Sequence, residues 1–505
     1  MQKRRVQMSR RFIILLIMAS GLSVSAQTYE KVLRNNLWND GCNVTGVRQD
    51  SVSAAVAELS GGYISGGFHR YGGAESAWNA GAKTMAIRHL ERLSLAGRFA
   101  FRTWTGYGMH GSMFIDPGFY PVDILEFTPG QKDMQEYSLY GGLSYDLSGQ
   151  WRIGVGADFL AANLAKRKDL RHTNFRLDVE LTPSVMWHQG DWAAGLSLIL
   201  GKNSETIDAE VIGVSGPTYY AFFDKGLMYG LYEGWEGSGI HLSTSGVNSF
   251  PVREMVAGAS AQMSWKGLYA DIMYKYRKGT MGEKDYIWYE FPGHELNLKS
   301  GLRIENGMDR HYLRAGFTYL NQVNNENILE QVSDGGVSTV VKYASNRIFE
   351  RRMFTIRPEY EYISPLWEIR WTALADIFNG VSSQKYPYVD VQNICNLSTS
   401  ADALVHLRNF DLSAGIGFGR GLFNEEGKSL VEGAAASRPD RYEEYAMYRI
   451  EYIKAPRLNA SLALRFNFWK GLYAQADGEI VYAFGIERIK SPYRAGGNIS
   501  IGYNF

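Results

Sequence analysis

Apolar and polar side chains alternate along this chain with a period of two, in runs of ten or more residues. Leu458, Ala460, Leu462, Leu464, Phe466 and Phe468 alternate with Asn459, Ser461, Ala463, Arg465 and Asn467. Successive side chains of a strand point to opposite faces, so one face of such a run is apolar and the other mostly polar. The pattern recurs in Leu472, Ala474, Ala476, Gly478, Ile480 and Tyr482 against Tyr473, Gln475, Asp477 and Glu479. It recurs in Phe410 to Phe418 and in Trp151 to Phe159. Strands of soluble sandwiches are usually about 5–6 residues long. A strand that crosses a bilayer at a tilt needs about 9–11. The length of these runs predicts membrane strands.

Short turns punctuate the alternation at Glu91 to Ser94, Ser148 to Gln150, Gly190-Asp191, Trp265 to Gly267, Asn306 to Asp309, Ser364-Pro365, Arg408-Asn409 and Trp469 to Gly471. Each joins two alternating runs as a hairpin. Longer polar or aromatic segments lie between hairpins, over about 108–133, 202–252, 323–347, 379–395 and 423–454. Short turns on one rim and long loops on the other match a barrel with periplasm below and the outside above. Eight hairpins, a first strand near Val52–Gly66 and a last at Arg494–Phe505 give a closed antiparallel transmembrane β-barrel of about 18 strands, with 16 as the alternative. Closure is required because hydrocarbon leaves no partner for an open sheet edge.

The N-terminus changes the picture from a barrel to an exported barrel. Lys3, Arg4, Arg5, Arg10 and Arg11 precede the apolar run Phe12 to Met18, and Val24-Ser25-Ala26 forms a small-residue cleavage site. Residues 1–26 therefore read as a signal peptide, too short in their apolar run to span a bilayer. Residues 27–51 form an N-terminal segment, either a periplasmic tether or a small lumenal plug, and 52–505 form the barrel. Loss of residues 1–26 removes five Lys/Arg and no Asp/Glu, leaving 48 basic against 52 acidic residues. A net charge of −4 argues against nucleic acid as a partner. The composition agrees with a barrel: 55 Gly, 32 Tyr, only 13 Pro, and no helix-length apolar run after residue 26. Two cysteines, Cys42 and Cys395, allow at most one bridge, and that bridge would require the N-terminal segment to rise inside the barrel.

The last strand carries Gly497, Ile499, Ile501, Tyr503 and the terminal Phe505 on one face. These residues resemble the C-terminal β-signal read by the outer-membrane assembly machinery of Gram-negative bacteria. The mature chain resembles a family of uncharacterised outer-membrane barrel proteins. The segment Lys166-Arg167-Lys168-Asp169-Leu170-Arg171 resembles a motif of that family, with Leu170 standing where a Pro would be expected. The resemblance implies the Gram-negative outer membrane as location, with lipid, lipopolysaccharide and the assembly machinery as partners. It implies no activity.

Candidate chemistry lies in the lumen, since a barrel of 16–18 strands leaves room for an aqueous channel. Arg98, Arg102, Arg152, Asp158, Arg176, Asp178, Glu180, Asp271, Arg357, Glu359, Glu361, Glu368, Arg370, Arg465, Asp477 and Glu479 fall on the polar faces. They line either a path for a small polar solute in a transverse field or a set of cross-strand ion pairs bracing the wall. Tyr219, Tyr220, Phe222, Phe223, Tyr229, Tyr232 and Trp235 crowd the longest loop, as a ligand site, a constriction or the core of a loop cap. Trp151, Trp187, Trp192, Trp265, Trp367 and Trp469 flank the short turns as an interfacial girdle. No Gly-x-Ser-x-Gly elbow, zincin motif or Cys/His cluster is present, and no metal or cofactor is expected. The expected function is a channel or uptake protein for a polar solute. The alternatives are an interaction or assembly protein with a blocked lumen, and a rim-sited hydrolase using His69 or His110.

Overall fold

The computed structural model describes residues 29–211, 219–234, 250–283, 286–334, 337–384, 387–429, 431–433 and 438–505. The expected signal peptide at 1–26 and Trp235 lie outside these residues.

Among the described residues, twenty strands form one sheet. Strands β1 (Ala54–Ser65), β2 (Ser76–His89), β3 (Leu93–Ser112), β4 (Asp123–Asp146), β5 (Trp151–Lys166), β6 (Arg171–Gln189) and β7 (Trp192–Glu210) pair antiparallel in order. β7 pairs next with β10 (Val252–Trp265). The wall continues through β11 (Leu268–Glu283), β12 (Tyr286–Asn306), β13 (Asp309–Asp334), β14 (Val337–Ile363) and β15 (Trp367–Ser382). It ends with β16 (Tyr388–His406), β17 (Phe410–Ser429), β18 (Arg457–Trp469), β19 (Leu472–Ala483) and β20 (Tyr493–Asn504). β20 returns to β1, with Val56 opposite Asn504 and Ser65 opposite Ala495. The wall is thus a closed barrel of 18 strands, and every wall strand has a neighbour on each side for its backbone groups. The other two strands, β8 (Tyr220–Gly226) and β9 (Tyr229–Gly234), make a hairpin outside the wall.

All eight short turns sit where the alternation breaks. The sequence Trp-Lys-Gly-Leu occurs at two of them, and both central residues take positive φ: Lys266 45° and Gly267 83°, Lys470 28° and Gly471 99°. That geometry matches the right-handed twist of the flanking strands. At Gly471 a Cβ would stand 2.1 Å from the Asn504 carbonyl oxygen, so glycine is required there on two counts.

The opposite rim departs from expectation. Three of the five segments expected as loops, 108–133, 323–347 and 379–395, are mostly strand. β13 and β14 are 26 and 27 residues long and pair as far as Asp334 opposite Val337. β7 runs on to Glu210, and β15 and β16 extend to Ser382 and Tyr388. Above the membrane both faces of a strand meet water or the cap, so the alternation fades while the hydrogen-bonded ladder continues. A 13-residue helix, α2 (Tyr442–Lys454), occupies the last of the five segments. Its N- and C-terminal flanks, Pro439 and Pro456, are the punctuation that could have marked it.

The two faces of the wall separate cleanly. Leu196, Leu198 and Leu200 on β7, Ile416 on β17, Leu462 on β18 and Ile499 on β20 are more than half exposed on the outside. A belt this apolar and this exposed suits lipid rather than water. Trp151, Trp192, Trp265, Trp367 and Trp469 stand exposed at the turn rim, Trp192 and Trp265 stacked at 5.4 Å. The inner face carries the polar partners described next.

Candidate functional site

Residues 29–50 fold across the lumen at the turn rim and form a floor. Helix α1 (Tyr29–Asn35) leads into two short 3-10 turns at Leu37–Asp40 and Val44–Gln49, capped by the side chains of Asn36 and Asn43. Tyr29 and Val32 pack on Ala54, Val56, Ile87 and Tyr473 on one side of the barrel. Leu37 and Trp38 pack on Met186, Ala193, Tyr269, Tyr312 and Ile363 on the other. A Cβ on Gly41 would stand 2.3 Å from the Tyr269 hydroxyl, so any larger residue there would push Tyr269 or the turn aside.

Polar contacts fix the floor. Arg34 Nη1 donates to Glu361 Oε1 at 2.7 Å and to Glu368 Oε2 at 3.0 Å. Glu361 also accepts from Arg314 at 3.1 Å and Arg370 at 3.0 Å, and Glu368 contacts His406 at 2.8 Å. Arg314 reaches Asp40 Oδ2 at 3.4 Å. Asn35 Oδ1 accepts from Arg310 and Tyr312, Trp38 Nε1 donates to Ser264 Oγ, and Arg48 Nε meets Asp146 at 2.5 Å. Cys42 lies against Gln262 in the floor, while Cys395 is on the other face of the wall; both are free.

The opposite rim is closed by a cap. The β3–β4 loop dips into the lumen, where Phe119 is held between the guanidinium groups of Arg176 and Arg277 at 4.3 and 5.0 Å. Ile115 N–H donates to Glu205, Tyr120 to Asn203, and buried Arg351 donates to the carbonyls of Gly118 and Phe119. The β8–β9 hairpin crosses from β4, where Asp123 faces Asp224 and Leu125 faces Phe222, to β13 and β14. There Lys225 pairs with Glu326, and Phe349 fills the space a Cβ on Gly226 would occupy. Helix α2 closes the third side: Tyr442 donates to Glu425, Tyr448 to the His69 carbonyl, and Arg438 binds Asp390 and Glu425.

The residues singled out from the sequence do not converge on one site. Cross-strand or same-strand pairs account for Arg98–Asp158 (3.2 Å), Arg102–Glu136 (3.4 Å), Arg152–Asp146 (3.0 Å), Arg176–Asp178 (2.7 Å) and Glu180–Lys275 (2.8 Å). Asp271 accepts from Ser260 beside the floor, and Glu359, Glu361, Glu368 and Arg370 belong to the floor's ion-pair network. Arg357 shares the inner face of β14 with Glu359 by register. Arg465 lies over the Tyr473 ring at 3.5 Å, and Asp477 and Glu479 border a space of about 260 Å³ with Asn79, Ser461 and Asn498. Of the aromatic cluster, Phe222, Phe223 and Tyr229 are buried in the cap, Tyr219 packs partly against it, and Tyr220 and Tyr232 are exposed. Sequence reasoning missed the floor's Arg34, Asn35 and Arg48, the Arg351 pin and helix α2. Their partners lie up to 334 residues away, so no local signal announces them.

Two larger spaces lie in the lumen besides the one beside Asp477 and Glu479. One, of about 440 Å³, lies between α1 and the wall beside Glu361, Arg370, Asp402 and Ser413. The larger, about 610 Å³, sits under the cap between the β3–β4 loop, the hairpin, α2 and strands β14 to β16. His110 and His69 stand at the loop rim. His110 meets the Tyr71 ring edge at 4.7 Å, with Lys132, Lys166 and Arg441 as charged neighbours, and His69 contacts its own loop at the Arg70 carbonyl. A hydrolytic histidine is oriented by a carboxylate or equivalent; among the described residues His110 Nδ1 has no hydrogen-bond partner.

The molecule is therefore an outer-membrane-type β-barrel in which, among the described residues, a floor crosses the lumen at one rim and a cap covers it at the other. It belongs to the family of unknown function DUF6850, whose model matches residues 44–505. The segment Lys166 to Arg171 turns from β5 to β6 at the loop rim, with Lys166 bound to buried Glu126 at 2.6 Å and Leu170 buried in the cap. No curated protein matches the chain. Solved structures similar to it include a mutant ferric enterobactin receptor, PfeA, from Pseudomonas aeruginosa (TM-score 0.39, 9% identity, 90% of this chain and 81% of that one). Others are the siderophore receptor PirA from Acinetobacter baumannii (0.40, 8%, 90% and 81%) and the copper transporter OprC (0.38, 7%, 89% and 80%). Likeness of this degree assigns no cargo.

Proposed function

We propose that this protein sits in the outer membrane of a Gram-negative bacterium and takes up a small polar solute through its lumen. The turn rim faces the periplasm and the loop rim the outside. The signal peptide exports the chain, and the outer face of β20, ending in Phe505, serves as the β-signal for assembly into a lipid and lipopolysaccharide membrane. One observation carries the uptake reading. The floor is a separate segment laid across the lumen, held to the wall by two small apolar clusters and by ion pairs and hydrogen bonds at Arg34, Asn35, Asp40 and Arg48, and it contributes no strand to the barrel. None of the wall's ladder hydrogen bonds runs through it, so the floor can leave as a local unit without unfolding the barrel.

The cap supports a second reading. Its core of Met113, Phe114, Phe223, Phe250, Tyr289 and Phe291 is fully buried, as in a platform built to stay shut and to dock a partner from outside. Conductance in planar lipid separates the two. The intact mature chain is expected to be nearly silent, and removal of residues 27–50 together with the 220–234 hairpin is expected to give sustained currents. If that doubly opened barrel is folded, by its heat-dependent gel mobility, yet carries no current, passage is ruled out and the docking platform stands.

A further inference from the structure

Resting on the uptake reading, we propose that the cavity of about 610 Å³ beneath the cap binds an anionic solute, an acid group of the carboxylate or phosphate class carried on an apolar or aromatic body. Its volume lies in the range of small-molecule sites, about 300–1,000 Å³. Four arginines line it: Arg70, Arg351, Arg449 and Arg457. None of the four forms an ion pair with a carboxylate among the described residues, whereas Arg98, Arg152, Arg314 and Arg370 lower in the lumen each do. A partly buried guanidinium without an ion-pair partner is open to an anion from elsewhere.

The four have different duties. Arg351 is committed to Gln322 and to the carbonyls that pin the β3–β4 loop. Arg449 uses one N–H on Gln392 Oε1 at 2.8 Å, and Arg457 makes a single long contact of 3.5 Å to the Tyr452 carbonyl. A guanidinium has five donors in a planar fork suited to carboxylate or phosphate, so both side chains keep unused donors beside the cavity. Both are half-buried, and each lies over a ring of α2, Tyr445 or Tyr452.

Three carboxylates share the lining, and each is occupied by a neutral donor. Asp376 accepts from Thr355 at 2.8 Å, Asp123 from Ser112 at 2.7 Å, and Asp224 from the N–H groups of Gly226 and Met228 at 2.9 and 2.8 Å. Asp123 and Asp224 face each other at the loop rim, where the hairpin meets β4. Burial pushes Asp123 up to about 8 and Asp224 up to about 6, so at neutral pH Asp123 is largely protonated and Asp224 largely ionised; even with all three carboxylates charged, the four arginines leave the lining net positive. The rest of the surface, with Met353, Phe378, Tyr452 and Ile453, suits a hydrophobic body.

Titration calorimetry on the full mature barrel in a non-ionic maltoside tests the site with phenyl phosphate, phenylacetate and neutral benzyl alcohol. At least one acid is expected to bind ten-fold or more tighter than the alcohol, and the tighter acid identifies the group. Arg449→Gln with Arg457→Gln is expected to remove that preference at least ten-fold, while the Arg449→Lys and Arg457→Lys pair retains part of it. Equal binding of acids and alcohol by the wild type, or full acid affinity in the folded Gln variant, overturns the proposal. Binding does not require passage: a barrel that selects the acid but stays silent when opened refutes uptake and leaves the site standing.

Discussion

Arg34 gives the sharpest test of how the floor is held. Its guanidinium, 22% exposed, meets Glu361 and Glu368, which are 1% and 5% exposed. A hydrogen bond to a charged group contributes about 1.5–3 kcal/mol. Removing one partner of a fully buried pair costs about 3–5 kcal/mol, because a bare charge remains. Here Glu361 keeps Arg314 and Arg370, and Glu368 keeps His406, so neither carboxylate is left bare. The two lost bonds together then amount to about 3 kcal/mol, and at 1.4 kcal/mol per factor of ten the seated floor loses about 100-fold in population relative to the released one. Cys42 reports that release. It lies in the floor, and burial pushes its thiol up, so the seated form reacts slowly with a maleimide. In a Cys395→Ser background, Arg34→Ala is expected to raise the labelling rate about 100-fold, with Arg34→Lys in between. Arg102→Ala, which removes an exposed wall pair away from the floor, leaves the rate unchanged. A change below three-fold for Arg34→Ala, with the barrel folded, would falsify the view that ion pairs hold the floor.

Two further outcomes are expected. Leu462→Arg, on the lipid face of β18, is expected to lower stability by about 2–4 kcal/mol in urea unfolding from lipid vesicles. Ser461→Arg, one residue away on the lumen face where there is space, is expected to cost less than about 1 kcal/mol; equal penalties would mean the two faces are misassigned. Deleting Phe505, which donates its backbone N–H to the Ala55 carbonyl at 2.8 Å where the barrel closes, is expected to lower the membrane-inserted yield several-fold, measured by heat-dependent gel mobility of outer-membrane fractions. Unchanged yield would remove the terminal residue from the assembly signal.

The amino-acid pattern alone determined the wall. Period two is a local property of a strand, and lipid outside with a polar lumen inside demands it over every crossing. Leu458 to Phe468, the paired Trp-Lys-Gly-Leu turns and the eighteen strands were therefore legible from neighbouring residues. Beyond the bilayer that demand disappears, and the long upper ladder of β13 and β14 leaves no such trace. Only the tertiary structure decided what fills the lumen. Arg34 finds Glu368 across 334 positions, the β3–β4 loop finds Arg351 across more than 200, and Arg449 and Arg457 reach one cavity from a helix and a strand. Each charged residue could be assigned to the inner face from its parity. Which partner it meets there depends on how the closed sheet curves and what folds into it, and a one-dimensional pattern carries no record of that curvature.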